Sequence, residues 1–181
     1  MKLGIVVCLS LLLCVSGAPV RAQGKINYKQ LVPNLEPMKD NSATPDFTLV
    51  DPSGKKVSFK EYRGKLVLLN FWATWCVPCR EEMPAMERLY EQYKNKGFVI
   101  VGVDVKDSKK DASAFLKELK ISYPIVLDPE GEVGLLYGAW GLPTSYIIGP
   151  KGEGLARLWG PAAWDGAGAK QLVQDLLDGK R

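Results

Sequence analysis

The hydrophobic positions of the chain fall into short apolar runs separated by stretches with helical spacing. The runs at 65–73 and 98–105 are almost entirely apolar, which is typical of strands buried on both faces of a parallel sheet. Between them, from about Cys76 until Gly97, apolar residues recur at helical spacing and predict an amphipathic helix. Its apolar stripe consists of Met83, Met86, Leu89, Tyr90 and Tyr93.

Weaker patterns extend this succession in both directions. Two short strands are predicted around 47–50 and 56–59, on either side of a Pro-Ser-Gly turn, and a second amphipathic helix is predicted over 109–120. The remaining predicted elements are a strand at 125–127, a short helix at 134–140, strands at 145–148 and 155–158, and a final helix at 171–177. This order predicts an α/β fold in which a central mixed sheet carries helices on both faces.

The N-terminus carries the pattern of an export signal. Lys2 precedes an uncharged apolar run to about Val15, and Ala22 ends a Val-Arg-Ala tripeptide of the kind that signal peptidases read. An uncleaved membrane anchor is the alternative, although the apolar core is short for a bilayer span. A lipid anchor at Cys14 is disfavoured because Leu13 stands where a small residue is needed.

The expected organisation follows from this signal. We expect a signal peptide over residues 1–22, an irregular lead-in segment over 23–43 and one folded domain over 44–181. A hydrophobic content of 46% and a charged content of 24% suit a soluble globular domain of this length. The expected location is the bacterial periplasm, either free after cleavage or held by the retained N-terminus.

Charge and composition exclude several functional classes. The net charge of +4 is spread among acidic residues rather than gathered in a basic block, so nucleic-acid binding is not expected. The chain contains no histidine. This absence excludes Ser-His and Cys-His catalytic pairs and any metal site built on histidine.

The chemistry of the chain centres on two cysteines. Cys76 and Cys79 are the only cysteines outside the predicted signal peptide, and they lie where the first apolar run gives way to the helix. A thiol at a helix N-terminus is activated because the local dipole favours the thiolate. Cys79, one turn further, can resolve a mixed disulfide, and Pro78 is tolerated in the first helical turn. The spacing therefore indicates reversible thiol–disulfide exchange.

Other interpretations of the dithiol are weaker. A structural crosslink would close almost no loop, so it would add little stability. A zinc site would need a second cysteine pair or histidines. A Cu(I)-binding metallochaperone remains an alternative, although exported copper carriers normally use a histidine as a further metal ligand. A peroxidase relative would need its reactive cysteine in a different setting. No metal and no cofactor beyond the Cys76–Cys79 disulfide are expected.

The dithiol segment resembles the active site of thioredoxin-fold proteins. The resemblance rests on NFWATWCVPC, its extension CREEMP and the downstream GLPTSYIIGPKG, and it covers roughly residue 44 to the C-terminus. Together with the exported N-terminus, these motifs are most similar to the ResA/TlpA-like, cytochrome-maturation branch. The resemblance implies a thioredoxin-like fold with an extra N-terminal hairpin and a central insertion.

The resemblance also implies several site residues. Pro143 matches the family's cis-proline, and Leu142 occupies the position that lines the substrate groove. Glu82 matches an acidic residue that this branch keeps near the cysteines, where a carboxylate can shuttle a proton. Without the resemblance, Glu82 reads as a solvated helix carboxylate. Asn70 replaces the buried aspartate of cytosolic thioredoxins and cannot titrate, which leaves the proton-handling role to Glu82.

The remaining expectations concern neighbouring side chains. The other residues expected to contact the substrate are Trp75, Val77, Pro78 and Thr144. Among the other tryptophans, Trp72 is expected in the core, Trp140 and Trp159 are expected to be partly buried, and Trp164 is assigned no role.

The resemblance implies an exported protein thiol-disulfide oxidoreductase. Its expected substrate is the haem-binding Cys-x-x-Cys-His site of apocytochrome c or another envelope protein, and its electrons would come from a membrane thiol transporter. The absence of lysine and histidine between the cysteines favours the reductase direction. A disulfide oxidase or isomerase on the same fold remains the alternative. The oligomeric state is left open, with a monomer favoured.

Overall fold

The computed structural model describes residues 25–40 and 42–180, so the predicted signal peptide lies outside the described residues. In chain order the elements are α1 (Tyr28–Leu31), β1 (Glu36–Pro37), β2 (Thr48–Val50), β3 (Lys56–Ser58), β4 (Leu66–Trp72), α2 (Val77–Tyr93), β5 (Phe98–Val105), α3 (Lys109–Leu119), β6 (Ile125–Asp128), α4 (Glu132–Leu136), β7 (Thr144–Ile148), β8 (Gly154–Trp159) and α5 (Ala167–Leu177), with 3-10 turns at Phe59–Tyr62 and Lys94–Lys96. Every predicted strand and helix is present, with its ends displaced by a few residues at most.

The strands form one mixed sheet in the order β1-β8-β7-β4-β5-β6-β2-β3. The pairs β4–β5 and β5–β6 are parallel, and all other pairs are antiparallel. β4 therefore lies inside the sheet, which explains why its seven residues are all buried and apolar apart from Asn70. The register sets Asn70 opposite Gly102 of β5 and opposite Ser145 of β7.

Two separate cores cover the two faces of the sheet. On one face the sheet packs against α1, α2, α3 and α5, and Trp72 stacks on Phe115 of α3 with ring centroids 5.2 Å apart. The opposite face is covered by α4, the Phe59–Tyr62 turn and Phe47, which precedes β2. The predicted α/β architecture with helices on both faces is confirmed, and Trp72 lies in the core as expected.

The lead-in segment departs from the irregular chain that the sequence predicts for 23–43. In its described part α1 packs beside α5, and β1 pairs with β8 through Glu36 and Arg157. Val32 and Leu35 are almost completely buried. The segment is ordered by contacts with the end of the chain, and two apolar positions are too few to reveal this as a periodic pattern.

The helix predicted over 134–140 is shorter and earlier in the structure. α4 begins after Gly131, whose φ is +73°, and Gly138 adopts φ +67° soon after its end. These left-handed conformations suit glycine and limit the helix on both sides. Residues 139–142 therefore form an irregular connection to β7. In the described part of the chain, no helix is long and apolar enough to cross a membrane.

Candidate active site

The two cysteines lie where β4 turns into α2. Cys76 caps α2, because its Sγ accepts a hydrogen bond from the backbone N–H of Cys79 at 3.3 Å. The two residues are joined by a disulfide with Cα atoms 5.3 Å apart. Cys76 is 5% exposed and Cys79 is completely buried. Of the two sulfurs, a partner thiol can therefore reach that of Cys76 first.

Pro143 immediately precedes β7, the strand beside this turn. The Leu142–Pro143 peptide bond is cis, as the resemblance implies. Thr144 of β7 pairs with Phe71 of β4, which brings Pro143 next to the end of β4. The carbonyl of Pro143 accepts the N–H of Gly160 at 2.9 Å. The start of β7 is thus fixed against both neighbouring strands.

Thr144 differs from its expected role as a substrate contact. Its side chain is completely buried, and its Oγ1 donates to the carbonyl of Gly141 at 2.6 Å. The hydroxyl therefore braces the loop that contains Leu142 and Pro143, and it does not face solvent. The sequence gives the position of Thr144 next to Pro143 but not the direction of its side chain.

Exposed apolar side chains adjoin the dithiol. In the described residues the large hydrophobic side chains that are exposed are Val50, Trp75, Val77, Leu135, Leu136, Trp140 and Trp159. Trp75 and Val77 flank Cys76 along the chain, and a cavity of about 200 Å³ brings Trp75 together with Leu135, Trp140 and Leu142. Exposed apolar surface of this kind marks an interaction site.

The expectation of a partly buried ring was wrong for Trp140, whereas Trp159 is half buried as expected. Trp140 is 80% exposed and Trp159 is 50% exposed. Trp140 lies in the irregular connection after α4, where no element covers it. Trp159 ends β8 with the guanidinium of Arg157 4.0 Å from its ring centroid. Hydrophobicity alone predicts partial burial for both rings, and only the structure shows that Trp140 points outward.

Glu82 lies one turn after Cys79 on the buried face of α2. Its side chain is 4% exposed, so the interpretation as a solvated carboxylate was wrong. Its Oε1 accepts a hydrogen bond from Asn70 Nδ2 at 3.0 Å. Its Oε2 accepts one from the backbone N–H of Ala162 at 3.0 Å and one from Trp164 Nε1 at 3.1 Å. Burial raises the pKa of Glu82 to about 7, although these three hydrogen bonds act in the opposite direction.

Asn70 extends this network to the strand beside β4. Its Nδ2 also lies 3.0 Å from Ser145 Oγ on β7. Its Oδ1 has no hydrogen-bond partner among the described residues. The single amide thus connects the carboxyl group on α2 with β7, the strand that follows the cis-proline.

Three contributors to this network were missed at the level of the sequence: Ala162, Trp164 and Ser145. Trp164, which was assigned no role, is almost completely buried and donates to a residue 82 positions earlier. Ala162 contributes only its backbone N–H, so its side chain carries no signal. A contact between such distant segments leaves no trace in the local spacing of one sequence.

No arrangement of three or more histidine, cysteine, aspartate or glutamate residues in the described part of the chain could hold a metal ion.

Comparison with known proteins shows the family to which the chain belongs. The sequence profile of the AhpC/TSA family matches residues 41–153. Thiol-disulfide oxidoreductase ResA of Bacillus cereus is 37% identical over 150 residues, which are 83% of this chain and 84% of that relative. ResA of Bacillus subtilis is 37% identical over 132 residues, which are 73% of this chain and 74% of that relative.

Solved structures agree with these relatives. The thioredoxin domain of a thiol-disulfide oxidoreductase from Bacteroides vulgatus superimposes with a TM-score of 0.68 at 28% identity, covering 77% of this chain and 99% of that one. A thiol:disulfide interchange protein of the thioredoxin family from Chlorobium tepidum gives a TM-score of 0.67 at 28% identity, again over 77% of this chain and 99% of that one. The expected thioredoxin-like fold and the resemblance to the ResA branch are confirmed.

Proposed function

The chain belongs to the AhpC/TSA family and is a protein thiol-disulfide oxidoreductase related to ResA, and from this premise we propose that it is an exported reductase of envelope disulfides. The proposed substrate is the haem-binding cysteine pair of apocytochrome c, and the proposed electron donor is a membrane thiol transporter. The observation that carries the proposal is the Cys76–Cys79 disulfide at the N-terminus of α2, one turn from a buried carboxyl group with a pKa near neutrality.

The proposed reaction starts from the reduced enzyme. The thiolate of Cys76 attacks one sulfur of the substrate disulfide, forms a mixed disulfide and releases the first substrate thiolate. The thiolate of Cys79 then attacks Cys76 Sγ, releases the second substrate thiolate and closes the Cys76–Cys79 disulfide. Two electrons pass to the substrate, and the enzyme is left in the oxidised state that the structure describes. The greater exposure of Cys76 supports this order of attack.

Glu82 is proposed to accept the proton of the Cys79 thiol. A general base works best when its pKa lies near the working pH, and the pKa of Glu82 is about 7. Its carboxyl group lies on the same helix as Cys79, one turn further on. Asn70, Ala162 and Trp164 hold both oxygens in place, so the group is oriented before the reaction begins.

The substrate is proposed to bind as an extended segment beside Leu142. The carbonyl of Pro143 is used by Gly160, and proline has no N–H. Within the described residues no backbone hydrogen bond involves Leu142, so its N–H and C=O can pair with an extended chain. Trp75, Val77 and Pro78 would contact the same segment from the dithiol side.

The direction of electron flow is tested by the reduction potential of the Cys76–Cys79 couple, measured by equilibration with dithiothreitol or glutathione buffers. A value near about −270 mV, as in thioredoxin, supports a reductase, whereas one near about −120 mV, as in a strong oxidant, overturns it.

The substrate is tested by trapping. Cys79→Ser should accumulate a mixed disulfide with an oxidised peptide containing Cys-x-x-Cys-His, because the variant lacks the thiol that resolves it in the forward direction. Cys76→Ser is the matched control and should trap nothing. Equal rates for this peptide and for a scrambled peptide with the same two cysteines would remove the assignment to haem-binding sites and leave the oxidoreductase activity intact.

A further inference from the structure

The chain reaches Cys76 through a tight turn that follows β4. The turn spans residues 73–76 and is closed by a hydrogen bond from the backbone N–H of Cys76 to the carbonyl of Ala73 at 3.1 Å. Thr74 and Trp75 are its two central residues, so the turn itself offers no partner to the backbone N–H of Thr74. A group that holds Thr74 therefore also holds Cys76, two residues later.

The side chain of Asp107, in the loop after β5, holds Thr74. Oδ2 of Asp107 accepts the backbone N–H of Thr74 at 2.5 Å, and its Oδ1 accepts the Thr74 hydroxyl at 2.8 Å. Both residues are partly buried, and hydrogen bonds to a carboxylate are stronger than those between neutral groups. Among the residues that the structure describes, no ion pair includes Asp107, so no cation competes with Thr74 for its oxygens.

Asp107 is itself fixed on both sides along the chain. Before it, the backbone N–H of Lys106 donates to the carbonyl of Asp128 on β6 at 3.0 Å. After it, Ser108 caps α3, because its Oγ accepts the backbone N–H of Asp111 at 3.1 Å. The carboxylate is therefore carried by a segment that is tied both to the sheet and to a helix, as an anchor for a reactive group must be.

On its other side Cys76 is held by α2. Its carbonyl accepts the backbone N–H of Arg80 at 3.1 Å, and the disulfide ties its sulfur to Cys79. Reduction breaks the disulfide, so the position of the Cys76 thiolate then depends on the backbone contacts with α2 and on the turn. Because exchange requires the attacking sulfur at a defined position, any loosening of the turn lowers the rate.

We propose that Asp107 is a positioning residue for Cys76, and that its two hydrogen bonds to Thr74 keep the thiolate in place once the disulfide is open. Asp107 acts through Thr74 and the turn, and neither a proton nor an electron passes through it. This role rests on the chemistry of the dithiol alone. It is independent of the substrate and of the direction of electron flow, so its failure would leave the proposed reductase function untouched, and the converse also holds.

The role is tested by the rate at which Cys76 reacts with hydroxyethyl disulfide. Every chain carries Cys79→Ser, Cys8→Ser and Cys14→Ser, so that Cys76 is its one thiol. The Cys76 thiolate attacks one sulfur of the reagent, forms a mixed disulfide and releases one mercaptoethanol thiolate. The rate constant is divided by the thiolate fraction of Cys76 from ultraviolet absorbance, which removes any effect of a changed pKa.

Asp107→Ala should lower this corrected rate constant about tenfold or more, since displacement of a reactive group by about 1 Å costs up to about a hundredfold. Asp107→Asn keeps an oxygen for the Thr74 N–H and an amide that can donate to the Thr74 hydroxyl, so it should restore most of the lost rate. Equal losses in the two variants would show that the charge of Asp107 acts and not its hydrogen bonds, and would overturn the proposal. So would an unchanged rate in Asp107→Ala.

Changes at Thr74 test the same contact from its other side. Thr74→Val loses only the hydroxyl bond and should lower the rate by a smaller factor than Asp107→Ala. Thr48→Val, at an exposed position of β2, is the matched control and should leave the rate unchanged. If urea denaturation shows that Asp107→Ala does not fold, this pair decides, and equal rates in Thr74→Val and Thr48→Val reject the proposal.

The double variant Asp107→Ala/Thr74→Val measures whether the two residues act together. It should react no more slowly than Asp107→Ala, because the contact is already lost in the single variant. A rate lowered by the product of the two single factors would show independent effects and would reject a role of Asp107 through Thr74.

Discussion

The indole of Trp164 and the carboxyl group of Glu82 meet inside the protein, with Nε1 donating to Oε2 at 3.1 Å. Trp164 lies in the connection between β8 and α5, so the end of the chain closes over the helix that carries the dithiol. Ala162, in the same connection, donates its backbone N–H to the same oxygen. This connection therefore orients the buried carboxyl group that lies one turn after Cys79 on α2, and its two hydrogen bonds lower the pKa of that group against the effect of burial.

Trp164→Phe should raise the pKa of Glu82 above about 7, because it removes a hydrogen bond that favours the ionised form. A hydrogen bond to a charged group contributes about 1.5–3 kcal/mol, which corresponds to an increase of about one pKa unit or more. The measurement is the midpoint of the pH dependence of disulfide exchange. Trp159→Phe, at a tryptophan without contact to Glu82, is the control, and equal midpoints in the two variants would contradict the assignment.

Glu82 should also make the stability of the oxidised protein depend on pH. Its pKa is raised from 4.5 to about 7 in the folded state, so the folded protein binds more protons than the unfolded chain between these values. The contribution of Glu82 to stability is therefore fully present below pH 4.5 and is lost as the pH rises through 7. The loss attributable to this group is about 3 kcal/mol, taken at about 1.4 kcal/mol per pKa unit.

Glu82→Gln should remove this contribution. The difference in unfolding free energy between the variant and the natural protein should move in favour of the variant by about 3 kcal/mol over that pH interval, whatever offset the altered hydrogen bonds introduce. Urea denaturation of the oxidised forms at several pH values measures it. Burial also raises the pKa of Asp104, but this group contributes a slope of the same sign to both proteins and cancels in the comparison. Parallel curves would show that Glu82 has an ordinary pKa.

The functional residues that could be predicted from the sequence are those whose role is indicated by the spacing of nearby residues. Cys76 and Cys79 follow a buried apolar run and open an amphipathic helix, and the resemblance adds Glu82 and Pro143 because the surrounding letters are distinctive. The partner of Glu82 at Trp164 could not be predicted in this way. Its contact is fixed by the closure of the last connection over α2, and one sequence without structure does not record that approach.

Contacts between neighbouring strands and the exposure of surface side chains also could not be predicted from the sequence. Asp104 lies near the end of an apolar run, but the burial of its carboxyl group depends on the position of β5 between β4 and β6. Trp140 was expected to be partly buried because it is hydrophobic, and its exposure depends on where α4 stops. The order of the elements was predictable because periodicity indicates burial along one element. The contacts between side chains of different elements were not predictable, because no local pattern records them.

Trp140→Ala should weaken the use of protein substrates more than the chemistry itself. Trp140 is the most exposed of the apolar residues near the dithiol, and it lines the cavity next to Leu142. Loss of an aromatic anchor at an interface costs more than about 1 kcal/mol, so kcat/KM for an oxidised protein substrate should fall about tenfold. The rate with hydroxyethyl disulfide should stay the same, because this molecule is too small to contact Trp140 while it reacts with Cys76.

Val50→Ala is the control for this prediction, since Val50 is exposed on β2 away from the dithiol. It should leave both rates unchanged. If Trp140→Ala lowers the two rates equally, then Trp140 affects the reactivity of the dithiol and does not serve as a contact for the partner.

Gly168→Ala should destabilise the protein through the segment that precedes residue 44. A Cβ at position 168 would lie 1.8 Å from the carbonyl oxygen of Leu31, a backbone atom that cannot rotate away, so α1 would have to leave α5. Helix propensity alone predicts a neutral or stabilising effect of alanine in α5, and the sign of the change therefore separates the two influences. Overpacking of this kind costs about 1–3 kcal/mol, measured by urea denaturation.

Gly141→Ala, where a Cβ would meet nothing within 4 Å, should change little. If Gly168→Ala were as stable as the natural protein, α1 would not be packed on α5 in solution, and the folded unit would begin nearer to residue 44, as the sequence alone predicts.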